Sequence, residues 1–306
     1  MPFPRWCVAL PARDEARRLP GALEALDAAA AMCAGPVDII VLADHCRDAT
    51  ADLARSAPMR HARIDVIERG SGPELVGAAR RDACEEALDR LGDRPGALLL
   101  TTDADARVHE EALARMEHAF ARGADLACAR LDPAPDPFDT AAPDVIRKAR
   151  AAALRRALIR RLAARRDGGR DLPALHDDYG GAGLALTASA YRRLGGFDAV
   201  SHDEDRRLVR AAERAGLIVD RRSRARVKVL ARRRGRAPGG MAADLARVAG
   251  GAADRVERCD LTLARLAAGN SALDIIEARP EALEPLEIAL AGLKRALAAP
   301  RAVCAA

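Results

Sequence analysis

The chain has 306 residues, half of them apolar and only 2% aromatic, so a sizeable core is available but must be built from Ala, Leu, Val and Ile. A net charge of +5 at pH 7 is mild for this length; it suits anionic small ligands and does not call for nucleic acid. The seven cysteines are odd in number, scattered and never spaced C-x-x-C, which argues against a disulfide framework or a zinc knuckle and for a reducing compartment. No apolar run reaches the length of a membrane span and no signal sequence is evident, so a cytoplasmic protein is expected.

In chain order, Trp6–Leu10 reads as a first strand, with the polar turn Pro11–Glu15 after it. Leu19, Leu23 and Leu26 mark a helix that Pro36 closes. Val37–Leu42 is a second strand ending at Asp44, and Asp48 and Thr50 are placed to cap a helix over Ala51–Ser56. Ile64–Ile67 is a third strand. Gly77–Leu91 is a helix with Cys84, Leu88 and Leu91 inward, stopped by Gly92. Ala97–Leu100 is a buried strand that ends in Asp103-Ala-Asp105. If the backbone stays extended there, both carboxylates point to one side and demand a cation. The local alternative is a polar loop in which Asp105 caps a helix. Leu113, Met116 and Phe120 mark the next helix, and Asp125–Arg130 reads as a strand.

Strand and helix thus alternate four times in about 130 residues, the sequence form of a parallel sheet covered by helices. Neither a dinucleotide fingerprint nor a P-loop is present. Leu131–Pro143, rich in proline and aspartate, reads as a loop, and Ile146–Arg166 as a helix. Ten basic residues lie between Arg147 and Arg170. A solvated face is the favoured account of them, and peripheral contact with an anionic membrane surface the sharper one. Gly180–Gly183 points to a close backbone approach. Tyr191–Leu194 is a helical turn closed by Gly195 and Gly196. Ser201-His-Asp-Glu204 has the form of a capping box opening a helix with Leu208, Ala212 and Ala215 inward. Leu217–Val219 and Val227–Leu230 read as strands, Arg232–Gly240 as a basic loop, and the remainder as helical. His109-Glu-Glu is not a metal-binding helix motif. His176-Asp-Asp178 reads as a polar loop.

Six of these segments together resemble the family 2 glycosyltransferases, which have the GT-A fold. They are Val8–Glu15, Leu42–Asp44 with Asp48–Thr50, Gly77–Arg80, Asp103–Asp105, Gly180–Phe197 and Glu204–Asp205. They stand in the family's order and cover roughly residues 5–240; the E-D-R-x-L-V and G-R-A-P-G-G segments are similar to a bacterial subgroup. The resemblance implies a GT-A domain over residues 1–240, with a helical insertion at about 144–170, and a helical extension over 241–306. It implies an inverting, metal-dependent transfer of a sugar from a nucleoside-diphosphate sugar to an acceptor the sequence does not name, whether small molecule, lipid-linked or polysaccharide. Pro11, Arg13, Glu15 and Asp44 would hold the nucleoside, Arg80 and Asp103 the diphosphate, and Asp103 and Asp105 a Mg²⁺ or Mn²⁺ ion. Asp205 would be the base, with Glu204 beside it. Asp14, His45-Cys46, Arg81 and Arg207 depart from the family's pattern. The rivals are a nucleotidyltransferase, which lacks its usual glycine-rich first loop here, and a non-catalytic binder of polyanions or membrane surfaces.

Overall fold

The computed structural model describes residues 4–92, 94–139, 143, 145–146, 180–221, 224–235 and 240–249. The expected arginine-rich helix, His176–Asp178, part of the Arg232–Gly240 loop and the chain beyond 249 lie outside them. Among the described residues no helix is long and apolar enough to cross a membrane.

β1 (Arg5–Ala12), β2 (Val37–Asp44), β3 (Ala62–Arg69) and β4 (Ala97–Thr101) pair in parallel in the order β3-β2-β1-β4. The sheet continues through β8 (Leu184–Thr187), antiparallel to both neighbours, to β6 (Leu126–Cys128) and β9 (Val219–Asp220). The crossovers are α1 (Leu19–Ala30), α2 (Thr50–Arg55), α3 (Val76–Leu91) and α4 (Ala112–Ala121), with α5 (Ala188–Leu194) and α6 (Glu204–Arg214) following β8.

β1 shows why its segment is a run of apolar residues without a polar face. Trp6, Val8 and Leu10 point into one core with Leu19, Leu23, Leu26, Leu113 and Met116. Cys7 and Ala9 point into the other, with Cys84, Leu88, Leu91 and Leu208. A strand covered by helices on both faces has no solvated side to mark with alternation. Trp6 keeps its ring nitrogen satisfied by donating to Glu117 Oε1 at 2.8 Å.

A second sheet, ordered β5-β10-β7, lies apart from the first: β5 (Ala106–Val108), β10 (Arg226–Ala231) and β7 (Arg130–Pro135). Two sequence expectations are corrected here. The residues directly after Asp105 form β5, which pairs antiparallel with β10, so Asp105 caps no helix; the helix marked by Leu113, Met116 and Phe120 starts later, at Ala112. Arg130–Pro135, expected mostly as loop, pairs in parallel with β10, Pro133 opposite Val229. Proline is tolerated because β7 is an edge strand whose missing N–H need not meet a partner. α7 (Met241–Ala249) follows, with Leu245 buried beside Ala231, Val145 and Ile146.

Candidate active site

The parallel register places the ends of β1, β2 and β4, at Ala12, Asp44 and Thr101, along one edge of the sheet. β8 runs the other way, so its beginning lies at that same edge: Leu184 pairs with Thr101. The short 3₁₀ turn Gly181–Gly183 therefore meets the loops that carry the expected site residues. Side chains knit these loops together. Glu15 N donates to Thr50 Oγ1 at 2.8 Å, Ala16 N to Asp48 Oδ2 at 3.1 Å, and Thr102 Oγ1 to the Ala182 carbonyl at 2.8 Å. In open α/β sheets this edge is where ligands bind.

Arg80, on the buried face of α3, is the hub. Its Nε donates to Glu204 Oε1 at 3.0 Å, Nη1 to Thr101 Oγ1 at 2.8 Å and to the Gly181 carbonyl at 3.1 Å, and Nη2 to Asp103 Oδ1 at 2.7 Å. Burial alone would lower its pKa, but the charges of Asp103 and Glu204 prevail and raise it, so the guanidinium stays charged. The resemblance gives Arg80 a phosphate contact. In the structure four of its five N–H groups are engaged by the protein, and its side chain is only 4% exposed. Gly181 is required beside it: a Cβ there would lie 2.5 Å from Arg80 Cζ.

The capping-box expectation for Ser201–Glu204 is corrected. The residue before α6 is Asp203, in the left-handed region at φ 63° with no side-chain cap, and Glu204 turns inward to Arg80. The pull of a buried guanidinium outweighs a surface cap. Asp205 faces the site: Oδ2 accepts from Gly181 N at 2.7 Å and Oδ1 from Arg206 N at 2.6 Å. Burial, then the nearby Glu204 charge, raises its pKa despite these two bonds and Arg80.

Asp103 and Asp105 are not in an extended segment. β4 ends at Thr101 and the pair lies in the turn into β5, closed by Ala106 N donating to the Asp103 carbonyl at 3.0 Å. Each carboxylate has its own arginine: Asp103 has Arg80, and Asp105 Oδ2 lies 2.6 Å from Arg232 Nη2. The same Nη2 is 2.5 Å from Glu15 Oε1. Asp136, fully buried, accepts from Arg18 Nε and Nη2 at 2.9 and 2.7 Å, and Arg18 lies 3.6 Å from Glu15. From the sequence, Asp136 stands out only as one aspartate of a loop, and Arg232 only as the start of a basic loop that could close over the diphosphate. Asp136 stands in a proline-rich stretch and Arg232 in a basic run, with no local signal of depth.

On the other side, buried Asp44 Oδ1 accepts from Arg69 Nε at 2.8 Å and lies 2.7 Å from His45 Nδ1. Pro11 is half-buried at the end of β1, and Arg13 reaches outward to Glu74 at 2.5 Å. His45 and Asp14, two departures from the family pattern, both have positive φ, 49° and 47°. Asp14, Cys46 and Asp48 form an acidic cluster, but Asp14 and Asp48 already accept from Arg47 N, Thr50 N and Ala16 N. The Cys46 thiol donates to the Ala12 carbonyl at 3.4 Å, and burial raises its pKa. These bonds account for the cluster as a loop clamp.

Asp103 and Asp105 suit a hard divalent cation. They offer carboxylate oxygens, Asp103 is one-third exposed, and burial with the neighbouring Asp103 and Glu15 charges holds the Asp105 carboxyl above its usual range although Arg232 lowers it.

The family described as "Glycosyltransferase like family 2" matches residues 4–251. No curated protein matches the sequence. Among solved structures, S. aureus TarS 1–349 in complex with UDP-GlcNAc overlaps with a TM-score of 0.52 at 12% identity, covering 87% of this chain and 73% of that one. Glucosyl-3-phosphoglycerate synthase from Mycobacterium tuberculosis, in complex with Mn²⁺, UDP-glucose and phosphoglyceric acid, overlaps with a TM-score of 0.45 at 18% identity, covering 84% and 80%. The chain belongs to the glycosyltransferase-like family 2, and is a glycosyltransferase of GT-A fold.

Proposed function

We propose that the protein transfers a sugar, with inversion, from a nucleoside-diphosphate sugar to an acceptor hydroxyl, with a divalent cation held by Asp103 and Asp105. The observation that supports this reading is the meeting of Asp44, Glu15, Asp103, Asp105 and Asp205 at one edge of the sheet, with Arg80 tying the Asp103 turn to the start of α6. The family's resemblance points to these same residues.

Asp44 is read as the nucleoside-side acceptor. Arg69 and His45 both engage its Oδ1, which leaves Oδ2 to meet a ring N–H or ribose hydroxyl. Pro11 and Arg13 flank the nucleoside, and Glu15 sits deeper. Arg80 acts as a positioning residue: it sets Asp103 and Glu204 relative to each other. Asp205 is the base. Its carboxylate is fixed by the N–H groups of Gly181 and Arg206, and each oxygen keeps a lone pair for the acceptor hydroxyl. The acceptor oxygen gives its proton to Asp205 and bonds to the anomeric carbon, whose bond to the diphosphate oxygen breaks. Attack on the side opposite the leaving group inverts that carbon. The cation, when bound, supplies charge neutralisation to the diphosphate.

A thermal-shift panel of nucleoside diphosphates and their sugars, with and without Mn²⁺, tests this on wild type and Asp103→Ala. UDP-GlcNAc belongs in it because S. aureus TarS 1–349 is seen in complex with that donor. A ligand at 100 times its dissociation constant stabilises the fold by about 2.7 kcal/mol. Stabilisation that needs Mn²⁺ and disappears in the variant is expected. A well-folded protein that responds to no nucleotide would remove the donor-site reading.

A further inference from the structure

Asp105 already has a positively charged partner. Arg232 is the first residue beyond β10, and its side chain is 12% exposed. One atom, Nη2, lies 2.6 Å from Asp105 Oδ2 and 2.5 Å from Glu15 Oε1. Its two N–H groups can serve both carboxylates at once, and Nε lies 3.9 Å from Asp136 Oδ2. The guanidinium thus bridges the loop after β1 and the turn after β4. Asp103 differs: its arginine reaches only Oδ1 and its side chain is one-third exposed.

A divalent cation of the Mg²⁺ type needs carboxylate oxygen within about 2.1 Å. Arg232 Nη2 occupies the near side of Asp105 Oδ2, and two like charges cannot share that oxygen in a partly buried site without strong repulsion. We propose that Arg232 is the resident counter-ion of Asp105, and that a divalent cation binds there only by displacing the guanidinium, so that Arg232 sets the metal affinity of the site. The inference rests on reading Asp103 and Asp105 as the metal ligands. Once displaced, the guanidinium is available to an anionic ligand such as a diphosphate, which it can grip bidentately. Metal alone then binds weakly, and metal with a nucleoside diphosphate binds cooperatively.

The test is a calorimetric titration of Mn²⁺ alone into full-length, donor-free wild type, Arg232→Met, Arg18→Met and Asp105→Ala, repeated with UDP present. Arg18 is the matched control, since it removes the same charge from the cluster and touches Glu15 and Asp136 without touching Asp105. Arg232→Met is expected to bind Mn²⁺ on the order of tenfold more tightly than wild type, a difference of about 1.4 kcal/mol, with Arg18→Met close to wild type. Equal affinity in wild type and Arg232→Met, with binding lost in Asp105→Ala, would overturn this inference and leave the metal reading standing. Equal tightening in Arg18→Met would overturn it as well, because general charge would then account for the effect. No Mn²⁺ binding by any protein, with or without UDP, would overturn the metal reading and this inference with it. Should Arg232→Met not fold, Arg232→Lys decides. Its shorter, single ammonium holds the two carboxylates less well, so tighter Mn²⁺ binding supports displacement and unchanged binding refutes it.

Discussion

Arg80 Nε lies 3.0 Å from Glu204 Oε1, with side chains only 4% and 6% exposed, so α3 and the start of α6 are joined by an ion pair almost closed to solvent. Removing one partner of such a pair leaves an uncompensated buried charge, which costs about 3–5 kcal/mol. Arg80→Ala is therefore expected to lower stability by that amount in urea denaturation. Arg80→Lys should recover part of it while losing most activity, because an ammonium cannot reproduce the fork to Glu204, Thr101 and Asp103. A loss under about 1 kcal/mol for the alanine variant would show that the network is not what holds these elements.

Two glycines should differ in their response to a methyl group. At Gly77 a Cβ would lie 2.0 Å from the Asp198 carbonyl, a backbone atom that cannot step aside. At Gly181 it would lie 2.5 Å from Arg80 Cζ, a side chain that can give way only by breaking its bonds. Overpacking costs about 1–3 kcal/mol and sometimes more. Thermal unfolding of Gly77→Ala and Gly181→Ala should show both losses, the larger at Gly77. The reverse order would contradict the packing described.

Asp205→Asn keeps the shape of the side chain and removes the base. Turnover is expected to fall by about 10²- to 10⁴-fold with the fold intact. Because burial and Glu204 raise the Asp205 pKa, the acid limb of kcat/KM should lie above the ordinary aspartate value of about 3.9. The stability effect has a definite sign. The native state holds this proton more tightly than the unfolded chain, so the stability Asp205 contributes is present below its unfolded pKa and lost as pH rises through its folded one. Asp205→Asn should therefore be more stable than wild type above that range. An acid limb unchanged in Asp205→Asn, or rates near wild type, would assign the base elsewhere.

Asp136 is completely buried and holds the Arg18 guanidinium through two N–H groups. Asp136→Ala leaves Arg18 only its longer contact with Glu15 and slackens Arg232. Unfolding in urea should show a loss of about 3 kcal/mol, the low end for a broken buried pair. Nucleotide-dependent thermal stabilisation should weaken with it. Loss of stability with nucleotide response intact would confine Asp136 to a scaffold role.

Much of the first sheet was legible in the sequence because its central strands are buried along their whole length. Runs such as Val37–Leu42 and Ala97–Leu100 have only one comfortable setting, a central parallel strand, and α1 and α3 follow from the spacing of Leu19, Leu23 and Leu26 and of Cys84, Leu88 and Leu91. The second sheet was not legible. β5 is three residues long, and β7 contains two prolines; both are strands only because β10, some hundred residues later, supplies their partner.

The positions of the acidic motifs were set by local sequence, through the order of strands and the turns that end them. Which charge faces which was decided by the tertiary structure alone. Nothing near Glu204 in the chain announces Arg80, nor near Asp105 announces Arg232, because each pair joins segments more than a hundred residues apart. A local pattern offered Glu204 a cap. Burial made an unpaired charge there too costly, and the fold brought in Arg80 as the opposite charge.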